Sequence, residues 1–462
     1  MKQSGGHAAP GGTQDVFYRR GSPVPLPLIE RAAGIYMWDE QGNEYTDASS
    51  GPMVSALGHG NEAVVEAITR QASRLDYAYT RVARNRPNLE YADRLARLAG
   101  PGFERVFLSS GGSEAIDAAV KFLRRHAVAA GQTSRRRLIS LMPSYHGATL
   151  GATAMTGDDS LEPLLDGFAV VSDKVPAPLS YRLPKDHTAD SYAAHCAGAL
   201  EAKILELGSE NVLAFVLEPV GGLATGAVVP PPGYFRAIRD ICTRHGVHLV
   251  FDEVLCGTGR SGKFITAHHW PDARPDLIVM AKGLGAGYSP LGAVLAPASM
   301  VDELATLGGF ESSYSYNANP ISCAVGLAVL DEFDRLELVD RAVHLGTLLR
   351  EGLEAIRDRS PIVGDVRGLG MLLAVEMVAD KDSKLPLPVE ATPTERIRAH
   401  GLRNGVMLYS RETSRGRFGH WFMVAPPLTI SDEESVELLR RTEAAVSDLY
   451  AELRAEGIPN SG

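Results

Sequence analysis

Four short stretches of the 462-residue chain carry residue types that could share one reaction centre. Lys282 follows the apolar run Leu277-Ile278-Val279-Met280-Ala281 and precedes Gly283. A lysine at the end of a buried strand must find a counter-charge, give up its proton or form a covalent adduct. Asp252 ends another apolar run, His248-Leu249-Val250-Phe251, where an unpaired carboxylate is costly. Ser110-Gly111-Gly112-Ser113-Glu114-Ala115 joins a strand-like segment to a helix-like one, so its backbone N–H groups and a hydroxyl offer an anion site. Tyr145-His146-Gly147 sets an aromatic ring at the end of a further strand, able to lie flat on a planar ligand. Singly, each stretch has a plain alternative: a surface lysine, a turn-capping aspartate, a glutamate at a helix start, a core tyrosine.

Together the four meet the needs of pyridoxal phosphate. That cofactor requires a Schiff-base lysine, a carboxylate on its pyridinium nitrogen, an anion cup for its phosphate and an apolar or aromatic sandwich for its ring. A carboxylate at the ring nitrogen keeps it protonated, so the ring can accept electrons from a cleaved substrate bond.

The elements that must position these residues alternate along the chain. Arg105–Leu108, Arg137–Met142, Val212–Leu217, His248–Phe251 and Asp276–Ala281 are predicted buried strands. Helical patterns at Glu114–His126, Asp190–Leu207 and Gly233–His245 lie between them. Strands separated by helices imply βαβ units and a mostly parallel sheet covered on both faces. Such sheets bind ligands outside the carboxyl ends of their strands, where all four stretches fall. Ile35–Asp47 has the pattern of a hairpin turning at Gln41-Gly42-Asn43, and Glu62–Leu75 that of a helix. Beyond about residue 325, long helices (Ile321–Leu336, Leu338–Arg357), an apolar strand to Glu376, a polar loop at 379–393 and a strand near Trp421–Ala425 predict a smaller α+β domain. The expected division is an N-terminal arm and hairpin (1–65) packing with the small domain, a large cofactor-binding domain (66–325) and a small domain (326–462), the first 22 residues forming a loose arm.

Over roughly Leu26 to Leu449 the chain resembles the class III aminotransferases of pyridoxal-phosphate fold type I, the family of ornithine, 4-aminobutyrate and ω-amine transaminases. The resemblance is carried by Tyr36-Met37-Trp38-Asp39, Leu57-Gly58-His59-Gly60, Ser110–Ala115, Tyr145-His146-Gly147, Glu218-Pro219-Val220, Asp252-Glu253-Val254, Ala281-Lys282-Gly283, Tyr314-Ser315-Tyr316 and Ala425-Pro426-Pro427. It implies that Lys282 is the Schiff-base lysine and Asp252 the pyridinium partner. Val254 and Tyr145 would pack on opposite ring faces, Gly112 and Ser113 would hold the phosphate, and His146 and Glu218 would be supporting contacts. Ser315 stands where the family usually has a threonine reaching the neighbouring subunit's phosphate, which implies at least a homodimer with shared sites, and allows a tetramer.

Three departures bear on substrate. Leu255 replaces a glutamine common in members that use 2-oxoglutarate. Met423 replaces the substrate-side arginine, and Leu223 the glutamate that holds it. Losing both halves is coherent, because a buried glutamate without its arginine is an uncompensated charge. Arg411, Arg415 and Arg417 are candidates to rebuild carboxylate recognition through paired hydrogen bonds. The expected activity is amino transfer from a primary amine or ω-amino acid to a small oxo acid such as pyruvate. The alternative is a mutase, racemase or lyase of the same fold, and a cofactor-binding regulatory protein without catalysis is a third.

Composition narrows the rest. Lys plus Arg number 46 against 56 Asp plus Glu, a formal charge of −10 that argues against nucleic acid as partner. The four cysteines form no CxxC pair, so structural zinc and a disulfide framework are not expected. No metal site is expected either, the histidines being scattered. Met1–Thr13 lacks an apolar run of signal-peptide length, and no segment approaches the roughly 18 apolar residues of a membrane span. The expected location is the cytoplasm. Gly257–Lys263 imitates a P-loop, but Phe264 supplies no hydroxyl for magnesium.

Overall fold

The computed structural model describes residues 26–458; the expected loose arm at 1–22 lies outside them. A seven-stranded sheet runs in the order Arg105–Ser109, Gly292–Ala296, Leu277–Met280, His248–Asp252, Val212–Leu217, Arg137–Met142, Asp173–Pro176. Only Gly292–Ala296 is antiparallel to its neighbours, so the sheet is mostly parallel as expected. The two-residue side-chain period splits the central strands between two cores. Val250, Leu277 and Val279 pack under the helix Gly112–Ala129 with Ile116, Ala119 and Leu123. Leu249, Phe251, Ile278 and Met280 enter the opposite core with Tyr91, Leu200, Tyr234 and Ile238 from the helices on the other face. A sheet buried on both sides explains why these strands read as unbroken apolar runs.

Two strands of this sheet were not expected from the sequence. Gly292–Ala296 is a short apolar run preceded by no α-helix after Leu277–Met280, only the 3-10 turn Lys282–Leu284; it returns antiparallel between Arg105–Ser109 and Leu277–Met280. Asp173–Pro176 carries a charge pair and a proline, which are tolerated because it is an edge strand.

The predicted hairpin forms from Tyr36–Asp39 and Glu44–Asp47. Asp39 fixes its turn, its carboxylate accepting the backbone N–H groups of Gln41 (3.1 Å) and Asn43 (2.8 Å) and the Tyr45 hydroxyl (2.8 Å). Glu44–Asp47 pairs in parallel with Val406–Met407, and Ile35, Leu57 and Val64 share a core with Leu345, Leu349 and Leu449. The C-terminal region builds an antiparallel sheet ordered Val363–Leu369, Leu372–Asp380, His420–Val424, Tyr409–Ser410, against the helices Leu338–Arg359 and Pro393–Arg403, on which Asp432–Ala455 packs in turn. Part of the stretch read as a loop at 379–393 is strand, Leu385–Pro386 pairing with Leu372–Asp380. Position 325/326 falls inside one continuous helix, Pro320–Arg335.

Candidate active site

Asp252 is the last residue of its strand and lies in parallel register with Val279 of the next, which ends two residues before Lys282. Both side chains therefore reach the carboxyl edge of the sheet, where they line one cavity of about 370 Å³. Lys282 has φ +48°, a left-handed conformation that strains a residue with a side chain. The turn after it holds that conformation through two backbone bonds to the Lys282 carbonyl, from Gly285 and Ala286, both 3.1 Å. Among the described residues nothing bonds the Lys282 amine. Burial pushes its pKa down to about 8, although Asp252 and Glu218 pull the other way. The result is an amine much readier to be neutral and nucleophilic than a surface lysine.

Asp252 is held from two sides. The Nδ1–H of His146 donates to Oδ2 at 2.8 Å, and the Val254 N–H donates to Oδ1 at 3.1 Å. His146 is itself positioned by its backbone N–H, which donates to the Thr156 hydroxyl at 3.0 Å, and its buried Nε2 has no partner among the described residues. Beside it Glu218 accepts the N–H groups of Tyr145 (3.0 Å) and Gly222 (2.8 Å). Burial, reinforced by the Asp252 charge, pushes the Glu218 carboxyl up to about 7.

The glycine-rich turn opens the helix Gly112–Ala129, whose first N–H groups have no intrahelical acceptor. Glu114 accepts the Ser110 N–H at 2.9 Å, the capping role read from the sequence. A Cβ on Gly112 would lie 2.8 Å from Val254 Cγ1, so the turn reaches this cavity wall only as glycine. Ser113 Oγ accepts the Ala148 N–H at 2.9 Å and keeps its hydrogen to donate. An unbonded amine, a buttressed carboxylate, an anion cup, and Val254 and Tyr145 on the cavity wall are the donor set that pyridoxal phosphate needs.

Other expected residues fall in different places. Ser315 is exposed, outside this cavity, its carbonyl accepting the Tyr77 hydroxyl at 2.9 Å. Of the three arginines, only Arg411 is brought to the site: its guanidinium lies 5.1 Å from the Tyr145 ring centroid and 3.5 Å from Asp158. Arg415 is exposed, and Arg417 turns outward to Asp159 at 2.9 Å. Asp158 was not singled out by sequence; it also accepts the Ser414 N–H (2.9 Å), and no spacing marks that long-range contact. Leu223, Leu255 and Met423 form one apolar cluster with Trp421, whose Nε1–H donates to the Leu223 carbonyl at 2.7 Å. The P-loop imitation is a structural turn, in which buried Arg260 donates to the carbonyls of Ala425 and Pro426 and to the Ser50 hydroxyl. The four cysteines are buried and unpaired, and among the described residues no acidic, histidine and cysteine cluster could hold a metal. No helix of the described residues is long and apolar enough to cross a membrane.

Comparison with known proteins gives the family and the fold. The family model for class III aminotransferases matches residues 17–446. A probable aminotransferase of Mycobacterium tuberculosis is 36% identical, covering 92% of this chain and 91% of its own. Putrescine–pyruvate aminotransferase of Pseudomonas aeruginosa is 31% identical over 89% of this chain and 88% of its own. The ω-transaminase of Pseudomonas jessenii in complex with PMP superposes with a TM-score of 0.88 at 29% identity, covering 96% of this chain and 98% of its own.

Proposed function

The chain belongs to the class III aminotransferases, enzymes that depend on pyridoxal phosphate, and from that premise we propose that it moves an amino group from a primary amine or ω-amino acid to a small oxo acid such as pyruvate. The observation that carries the acceptor is the apolar cluster of Leu223, Leu255 and Met423. It leaves no ionic pair at the place where related enzymes grip a dicarboxylic acid.

Pyridoxal phosphate supplies a carbonyl that condenses with amines and a ring that accepts the electron pair of the broken C–H bond. Lys282 would anchor the cofactor covalently, and its free amine would be the base that carries the donor carbon's proton. Its lowered pKa suits both tasks. Asp252, oriented by His146 and the Val254 N–H, would hold the proton on the ring nitrogen. Gly112 and Ser113 bind the phosphate with helix N–H groups and a hydroxyl. Val254 and Tyr145 exclude water from the two faces of the ring, and Glu218 keeps the Tyr145 backbone in place. Arg411 receives the carboxylate of the oxo acid. Ser315, exposed beside Tyr77 and Tyr316, reaches the site of a second copy in a homodimer.

Steady-state rates with pyruvate and with 2-oxoglutarate, using one amine donor, test the reading. Pyruvate is expected to be favoured, and a strong preference for 2-oxoglutarate overturns it. Amino transfer that requires no second oxo substrate points instead to a mutase, racemase or lyase.

A further inference from the structure

A groove of about 620 Å³ opens between the helices Glu62–Arg74, Arg86–Ala99 and Pro320–Arg335, and it shares no lining residue with the Lys282 cavity. Its floor is apolar, made of Ala67 with Ala324, Leu327 and Ala328. Six arginines but only three acids, Glu90, Asp93 and Asp331, line it, in a protein whose formal charge is −10. Four of the arginines are paired. Arg70 meets Glu66, Arg86 meets Glu90 and Arg97 meets Asp93, each one helical turn away, and Arg94 reaches across to Asp331 and Asp334. Arg74 and Arg84 are not. Arg74 ends one helix, Arg84 stands two residues before the next, and among the described residues neither guanidinium has a partner. Like charges facing one concave surface repel unless an anion sits between them. The two free arginines also bracket a segment tied to Ser315. The Tyr77 hydroxyl donates to the Ser315 carbonyl (2.9 Å), Arg81 to the Glu311 carbonyl, and Asn319 to the Asp76 carbonyl (3.2 Å). Asn85, next to Arg84, donates to the Ala318 carbonyl at 3.2 Å.

We propose that this groove binds an organic diphosphate of the nucleoside diphosphate class, and that its occupation steadies the segment carrying Ser315. Arg74 and Arg84 take the phosphates through the paired N–H groups of their guanidinium forks. A monocarboxylate would engage only one of them. A diphosphate ester carries about three negative charges at neutral pH, which matches the surplus of three arginines over acids in the groove. The apolar floor accepts the base. Binding at the groove is independent of the transaminase reading above; only its effect on the cofactor rests on Ser315 reaching the site of a second copy.

The test is calorimetric titration of the holoenzyme, whose Gly112–Ser113 cup is already filled, with ADP, AMP and inorganic phosphate. ADP is expected to bind about tenfold or more tightly than either of the others, the scale of one charge-assisted hydrogen bond. Arg74→Gln and Arg84→Gln are each expected to weaken ADP by about tenfold or more, and Arg84→Lys, which keeps the charge but not the fork, by less. Arg137→Gln removes the same charge from an exposed pair with Asp173 and is expected to leave ADP affinity within about twofold. No ADP binding, equal affinity for ADP and inorganic phosphate, or an equal loss in Arg137→Gln overturns the site. Release of pyridoxal phosphate from the diluted holoenzyme, followed by the cofactor's absorbance, is expected to slow with ADP in the natural protein and not in Arg74→Gln. ADP that binds through both arginines without slowing release refutes the coupling to Ser315 and leaves the site standing. ADP binding in a holoprotein that transfers no amino group sinks the transaminase reading and not this one.

Discussion

His146 Nδ1 lies 2.8 Å from Asp252 Oδ2, with both side chains buried, so the carboxylate assigned to the cofactor ring is oriented from behind by an imidazole. The Val254 N–H holds the other oxygen at 3.1 Å. Removing the imidazole leaves Asp252 with one donor and a void at its back. A hydrogen bond to a charged group contributes about 1.5–3 kcal/mol. His146→Ala is therefore expected to weaken pyridoxal phosphate binding by about tenfold to a hundredfold, read by titrating the apoprotein. His146→Asn, which keeps a donor, is expected to recover part of the affinity. If alanine binds the cofactor as tightly as the natural protein, His146 has no positioning role.

With Lys282 as the proposed anchor, its pKa is expected to set the pH at which the apoprotein captures the cofactor. Only the neutral amine attacks a carbonyl, and burial lowers the pKa from 10.5 to about 8. The capture rate is expected to rise with pH and level off above about 8, rather than climbing on towards the ordinary lysine value. Stopped-flow absorbance across this range measures it. Lys282→Ala is expected to abolish covalent capture and turnover, while leaving weaker, reversible binding through the phosphate cup.

Much of this site was legible in the sequence because its parts sit at strand ends. The runs before Asp252 and Lys282 announce buried parallel strands, and such strands deliver their next residues to a common edge. The glycine-rich turn and Glu114 announce a helix start in the same way. What was not legible depends on contacts between distant segments. Nothing near Asp158 signals that it faces Arg411 and Ser414, more than 250 residues away. Three arginines within seven positions are equivalent as text. Only the turn at Ser414–Gly416, with Arg415 at φ +54°, separates the one that points inward from the two that do not. The strand Gly292–Ala296 was hidden because its small side chains match many buried contexts, and its hydrogen-bonded neighbours are far off in sequence.

The apolar cluster of Leu223 and Met423 is expected to resist a single ionic substitution. Leu223→Glu puts a carboxylate among Met423, Leu255 and Trp421 with no counter-ion, and such uncompensated burial costs about 3–5 kcal/mol. The double variant Leu223→Glu/Met423→Arg supplies the counter-ion, so it is expected to regain part of that loss and to raise the rate with 2-oxoglutarate relative to pyruvate. Urea unfolding and acceptor rates check the two effects separately. Single and double variants equal in both respects would show that these positions do not govern dicarboxylate recognition.

Arg411 and Arg417 give the sharpest contrast, because they differ in position and not in chemistry. Arg411 lies against Tyr145 at the cavity wall, with buried Asp158 keeping its guanidinium near the site before any substrate arrives. Arg417 is spent on an exposed pair with Asp159, and such surface pairs contribute little. An arginine that grips the acceptor's carboxylate equally in ground and transition states affects KM more than kcat. Arg411→Met is therefore expected to raise KM for pyruvate by about tenfold or more with a smaller change in kcat, the scale of one charged hydrogen-bonded contact. Arg415→Met and Arg417→Met are expected to stay within about twofold, the effect of an exposed charge. Equal effects from all three would mean that the loop acts through its net charge; a large effect from Arg417 alone would move the carboxylate site outward, away from Tyr145.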